Sequence, residues 1–299
     1  MPFFSPNADD YIDAAKLYYA CAEKVIGRIS ILDADGDVVL ALTKWKTVGS
    51  TRLTSTWRGR IRVDGELVYA PEGRYAYQLE LRDAAGNTGV TTVPVTLDTT
   101  VGFYTVTPRF FSPNGDAVRD TTALGFTLTR PASVEVLLLR DGELVRTLAL
   151  GSLAAGARSA TWDGLDDAGA AAPSGDYRAR VMVESALGDS RVAGEVTLDL
   201  TKPTIAAPTG VSVTLGSTAR MRYTIGDSWS PLAKVTVKIR RASDGVLVKT
   251  LYPGWVTTNE AHVASWKPPS RRTYIATFYA IDQARNRQAA VARCTIKVL

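Results

Sequence analysis

Arg109-Phe110-Phe111-Ser112-Pro113-Asn114-Gly115-Asp116-Ala117-Val118-Arg119-Asp120 has a near copy at the start of the chain, Phe3-Phe4-Ser5-Pro6-Asn7-Ala8-Asp9-Asp10-Tyr11-Ile12-Asp13. A motif that returns after about one small domain marks a chain built by duplication. Other landmarks return at the same interval. Trp57-Arg58-Gly59 matches Trp162-Asp163-Gly164, and Trp266-Lys267 is a weaker third copy. An aromatic segment follows each tryptophan: Gly73-Arg74-Tyr75, Gly175-Asp176-Tyr177 and Thr273-Tyr274-Ile275. A turn comes next: Asp83-Ala84-Ala85-Gly86-Asn87, Ser185-Ala186-Leu187-Gly188 and Asp282-Gln283-Ala284-Arg285-Asn286. The first two units close on Asp98-Thr99-Thr100 and Asp199-Leu200-Thr201. Three units are therefore expected, at 1–100, 101–202 and 203–299. The third lacks the Phe-Ser-Pro-Asn opening and is the most divergent.

Between the landmarks the periodicity is that of strands. Val134 to Arg140 and Glu143 to Leu148 flank Asp141-Gly142, a pair that accepts the positive φ angles of a tight hairpin turn. The first unit repeats the hairpin through Asp35-Gly36-Asp37, and the third through Ser243-Asp244-Gly245. Short strands with turn residues every ~8–12 positions predict β-sandwiches. Asp10 to Lys24 has helix-like composition, but its counterpart from Asp120 to Thr129 reads as strand, so strand is expected there too. Boundaries fall near Thr100–Gly102 and Lys202–Pro208, where Pro203 and Pro208 stiffen the chain.

Composition supports ordinary globular domains. The 299 residues are 45% hydrophobic and 22% charged. The net charge of +5 is spread thinly, and no basic run or stripe of the kind nucleic acids need is present. No apolar run reaches membrane-spanning length, and a leader is expected to lie outside this segment. Cys21 and Cys294 sit at opposite ends of the array in apolar runs, which predicts buried free thiols rather than a bridge.

The motifs resemble the FlgD-type Ig-like domain, named for the bacterial flagellar hook-capping protein and recurrent in large bacterial surface and secreted proteins. Phe111-Ser112-Pro113-Asn114-Gly115-Asp116 with Asp120, Asp141-Gly142, Trp162-Asp163-Gly164 and Gly175-Asp176-Tyr177 carry the likeness. It spans nearly all of the second unit. The first unit alters it, with Ala8 where Gly115 stands and Arg58 where Asp163 stands. The third keeps the hairpin, a Trp and a Tyr. The opening is also similar to the start of C-terminal domains in gliding-type secreted proteins. The resemblance implies an all-β chain of three tandem immunoglobulin- or fibronectin-III-like sandwiches, serving as spacer, scaffold or adhesion module without catalysis. Hook capping is not implied, because the rest of such a protein is not in this chain.

Candidate chemistry is sparse. Asn114, Asp116 and Asp120, with Asn7, Asp9 and Asp13, place several oxygen donors in one turn, which suits calcium. The same residues also suit a turn in which Asn and Asp side chains bond nearby backbone N–H groups. Trp57, Trp162 and Trp266 recur in fixed register and are expected in the cores. Trp229 and Trp255 have no counterpart elsewhere and are the candidate ligand surface. His262 is the sole histidine and has neither a nucleophile elbow nor zinc-type spacing around it. Asp166-Asp167 reads as a turn beyond Trp162, not an acid–base pair. No phosphate-binding glycine loop is present. The expectation is a non-enzyme without cofactor, calcium aside, lying outside the cell or on its surface. Its partners are other domains or subunits of an assembly, or, in the alternative, glycan bound by an accessory module of a larger secreted enzyme. Neither nucleic acid nor membrane insertion is expected.

Overall fold

The computed structural model describes residues 3–6 and 12–299, and every helix-free residue run of regular structure among them is strand. Three separate apolar cores line up along the chain. The first runs from Phe4 to Leu97, the second from Val101 to Leu198, the third from Ala219 to Val298.

The middle unit shows the architecture most plainly. Val101–Thr107, Thr122–Leu128 and Gly156–Trp162 form one sheet. The facing sheet runs in the order Phe110–Phe111, Gly188–Leu198, Gly175–Ser185, Ala132–Arg140, Glu143–Leu153. Its first pair is parallel and the rest antiparallel. This is an Ig-like sandwich. Alternation builds the core: Val134, Val136 and Leu138 are buried while Ser133 and Glu135 face water. The hairpin turns as its residues require, with φ of 52° at Asp141 and 90° at Gly142.

The third unit repeats both sheets, and Gly210–Val213 takes the place of the lost Phe-Phe segment, pairing in parallel with Ala292–Val298. The first unit is thinner. Opposite its larger sheet stands one antiparallel pair, Ala15–Tyr19 with Leu53–Trp57, plus the hairpin Arg60–Val63 with Glu66–Tyr69. Ala15–Tyr19 is the strand expected within the helix-like stretch; Asp10 and Tyr11 lie outside the described residues.

The recurrent tryptophans are core residues. Trp57 and Trp162 are at most 1% exposed and Trp266 is 8%. Each meets the recurrent tyrosine edge-on, at 4.9, 4.8 and 4.9 Å between ring centroids for Tyr75, Tyr177 and Tyr274. In the first two units Phe4 and Phe111 complete the stack, both at 5.1 Å. The indole N–H groups of Trp57 and Trp162 donate to the carbonyls of Arg60 and Leu165. Gly164 follows with φ of 78°, and a Cβ there would stand 2.5 Å from Pro113 Cγ. The Trp-Asp-Gly and Phe-Ser-Pro motifs recur together because they pack on each other. The cysteines are free, as anticipated, but Cys21 is half-buried where full burial was expected; it lies just past the end of its strand, packed against the margin of the first core.

Candidate functional site at the domain junctions

The loop after Phe111 folds around Asp120. Its carboxylate accepts from the backbone N–H groups of Asn114 and Gly115 through Oδ1 and of Ala117 through Oδ2. Asn114 Oδ1 accepts from the Asp116 amide, and Asp116 Oδ1 from the Val118 amide. Asn114, Asp116 and Asp120 thus come together around backbone amides. In the first unit Asp13 is half-buried ahead of Ala15–Tyr19, while Asn7 and Asp9 lie outside the described residues.

The same loop reaches the third domain. Buried Ser112 donates from Oγ to Asn286 Oδ1 at 2.7 Å, and Asn114 Nδ2 approaches the same oxygen at 3.4 Å. Arg119 donates to the Gln283 carbonyl. Asn286 is the node of this junction. It is 3% exposed and donates from Nδ2 to the Asp199 carbonyl at 2.7 Å and to Asp282 Oδ2 at 2.9 Å. Its backbone N–H donates to Asp282 Oδ1 at 2.8 Å. The two domains are therefore joined by side chains whose hydrogen bonds are completed across the junction.

Three carboxylates meet here. Asp199, Asp227 and Asp282 bring oxygens within 4.8 Å of one another. Asp199 and Asp282 have no solvent exposure. Asp199 Oδ2 accepts from Ser230 Oγ at 2.8 Å, and Oδ1 accepts from Thr201. Asp227 Oδ1 accepts from the amides of Trp229 and Ser230. Asp227 Oδ2 carries less than 1 Å² of accessible surface and has no hydrogen-bond partner. Burial pushes the Asp282 carboxyl up to about 7; Asp199 and Asp227 add to the rise, against hydrogen bonds from Asn286. Burial also raises Asp227, opposed by its two amide donors. Burial and the nearby Arg285 lower the Arg119 guanidinium, against the field of Asp282; its Nη1 donates to the Phe110 and Gln283 carbonyls, and no Lys or Arg forms an ion pair with the three among the described residues.

The tryptophans singled out from sequence separate. Trp229 is half-buried at this junction, with the Arg140 guanidinium of the middle domain 6.0 Å from its ring centroid. Trp255 is 46% exposed on the outer strand Leu247–Thr257, opposite Lys234. No ring contact joins them among the described residues. His262 Nε2 lies 2.7 Å from the Thr257 carbonyl. Asp166 and Asp167 accept from the amides of Ala168, Ala170 and Thr147, as turn residues do.

Sequence reading missed Asp199, Asp227, Asp282 and Asn286 as a group. Asp199 and the Asp282–Asn286 turn stood out as repeated landmarks. Nothing linear connects them to Asp227.

Comparison with known proteins locates the resemblance. The FlgD Ig-like domain family matches residues 114–186. Basal-body rod modification protein FlgD of Salmonella typhimurium (strain LT2) is 37% identical over 71 residues, covering 23% of this chain and 31% of that protein. Its Escherichia coli (strain K12) counterpart is 33% identical over 103 residues, covering 34% and 44%. The middle domain is a FlgD-type Ig-like domain. The chain spans less than half the length of these curated relatives. Among solved structures, three N-terminal domains of the bacteriophage RB49 highly immunogenic outer capsid protein align over 96% of this chain and 99% of theirs, at 11% identity and a TM-score of 0.34. Dimeric latent PorU from Porphyromonas gingivalis aligns over 100% of this chain and 32% of its own, at 10% identity and a TM-score of 0.25.

Proposed function

We propose that this chain is a non-catalytic structural segment of a bacterial surface or secreted assembly, in which tandem Ig-like domains set the spacing and angle of what they join. One observation carries the reading: the second copy of the Phe-Ser-Pro-Asn motif is spent on the joint between the second and third domains, with Ser112 and Asn286 bonded across it. A motif used for coupling belongs to a strut. The recurrent aromatic and acidic landmarks otherwise fill cores and cap turns, which leaves little polar chemistry for a substrate. Two outer strands, Glu143–Leu153 and Leu247–Thr257, offer edges to which a neighbouring subunit can add a strand. The relatives' printed role in rod modification agrees with work among protein subunits. No helix among the described residues is long and apolar enough to cross a membrane.

The test is joint. Small-angle scattering of the purified chain should give a radius of gyration well above the ~19 Å of a compact chain of this length. Protease treatment of intact cells expressing the full gene product should remove the segment. A compact particle, or a segment protected inside the cell, sinks the reading. Retention on insoluble cell-wall glycan that is lost with Trp255→Ala would move the assignment to a glycan-binding accessory module.

A further inference from the structure

We propose that Asp199, Asp227 and Asp282 form a divalent-cation site, with calcium as its ion, that locks the second and third domains together. The site is separate from the turn of Asn114, Asp116 and Asp120, and it does not depend on the structural role proposed above.

Three observations converge. The donor set is all oxygen, three carboxylates with no His or Cys among them, which selects a hard cation. Oxygens bound to one calcium at about 2.4 Å stand at most about 4.8 Å apart. The three carboxylates meet that limit. The independent sign is Asp227 Oδ2, shut away from solvent with no hydrogen-bond partner. A buried acceptor left unmade is costly, and one beside two other buried carboxylates more so. A dication between them answers both costs. Each of the other two carboxylates still has lone pairs free, since each oxygen accepts at most two donors.

The first junction shows what the same frame looks like without such a site. Thr122 lies opposite Trp162, and Ala219 opposite Trp266, so Arg130 occupies the position of Asp227. Tyr177 and Tyr274 stack alike on those tryptophans, and eight residues on stand Ser185 and Asp282. Asp98 matches Asp199, each amide donating to the preceding Phe carbonyl, of Phe4 and Phe111. One junction therefore has a carboxylate, a serine and an arginine where the other has three carboxylates. Asp98 Oδ2 at the first junction is also buried without a hydrogen-bond partner, but it stands alone where the second junction gathers three carboxylates within reach of one ion.

The chelator-treated full chain, titrated with calcium chloride by calorimetry at mildly alkaline pH, should bind one ion per chain with a Kd on the order of 10⁻³ M or tighter. Calcium should raise the melting temperature. Asp227→Asn should weaken binding at least about tenfold and abolish the melting shift. The double variant Asp227→Arg with Asp282→Ser, which copies the first junction, should fold and show neither response. Asp116→Asn should retain both. Four results would overturn the proposal: no binding heat at about 10 mM calcium; a response lost with Asp116→Asn and kept with Asp227→Asn; a response kept in the double variant; or a melting temperature that rises on acidification while calcium has no effect, which would assign the cluster to a shared proton. Magnesium in place of calcium serves as the second arm; equal or tighter magnesium binding would overturn the choice of ion.

Discussion

The two joints of this chain use one backbone frame and opposite electrostatics. At the first, Arg130 of the middle domain pairs with Glu72 of the first, and Thr99 donates to the same carboxylate at 3.0 Å. The Thr129 amide donates to the Thr100 carbonyl, and Thr100 Oγ1 lies 3.3 Å from Ser185 Oγ. At the second, the buried amide of Asn286 ties Ser112, Asp199 and Asp282 into one network beside Asp227. The first joint sets an arginine against the partly exposed carboxylate of Glu72, while Asp98 keeps one buried oxygen without a hydrogen-bond partner. The second gathers negative charge from both domains. Tandem duplication supplied the geometry, and a few substitutions at matched positions gave each joint its own means of closure. A shared fold therefore does not imply a shared mechanical response.

The contrast can be broken at Asn286. Asn286→Ala takes the acceptor from the Ser112 hydroxyl and the Nδ2 donor from the Asp199 carbonyl and Asp282 Oδ2 in a buried site, and at least about 2 kcal/mol of stability should be lost from urea unfolding, at roughly 1–3 kcal/mol per orphaned group. Its counterpart Asn87 is exposed and bonds within its own turn to Asp83. Asn87→Ala should cost less than about 0.5 kcal/mol. Equal losses would remove the distinction between a coupled and an uncoupled turn.

A smaller effect separates the two motif pairings. Gly164→Ala drives a Cβ into Pro113 at a positive φ, and a loss of about 1–3 kcal/mol is expected. At Gly59 the nearest atoms stand 3.2 to 3.5 Å away, so the same change should cost less there. Thermal unfolding of the two variants, side by side, ranks them.

The first joint should respond to acid. Burial works to raise the Glu72 carboxyl, but hydrogen bonds from Arg130 and Thr99 outweigh it and hold the group below its usual value. A carboxyl lowered on folding stabilises at pH above its unfolded value, and that contribution fades as pH falls through the folded one. Both partners are partly exposed, so Arg130→Ala should cost at most about 1 kcal/mol near neutrality, less in high salt. The gap between wild type and variant should close below the ordinary carboxylate range. A gap that widens in acid would refute the pairing as the source. The least change is expected from Trp255→Ala, within about 0.5 kcal/mol by the same unfolding assay, because the ring lies on the surface of an outer strand.

Much of the fold was legible in the residues. Asp141-Gly142 announced a two-residue turn because few pairs tolerate two positive φ angles, and both angles are positive. The tryptophan register announced three cores, since a large apolar ring repeated at one place in each unit has one economical destination. The candidate site was less legible. Asn114, Asp116 and Asp120 drew notice by lying close in sequence, but neighbours in a turn find their own backbone amides first. Asp199, Asp227 and Asp282 come from the end of one domain and two separate strand ends of the next, and no local pattern marks them.

The amino-acid sequence alone determined the sandwich, its hairpins and its threefold repetition. These follow from alternation, turn chemistry and aromatic spacing, all short-range properties carried inside each unit. Tertiary structure alone decided which polar residues face one another across a joint. That depends on how two finished domains abut, and at the second joint burial turns three unremarkable aspartates into a concentrated charge.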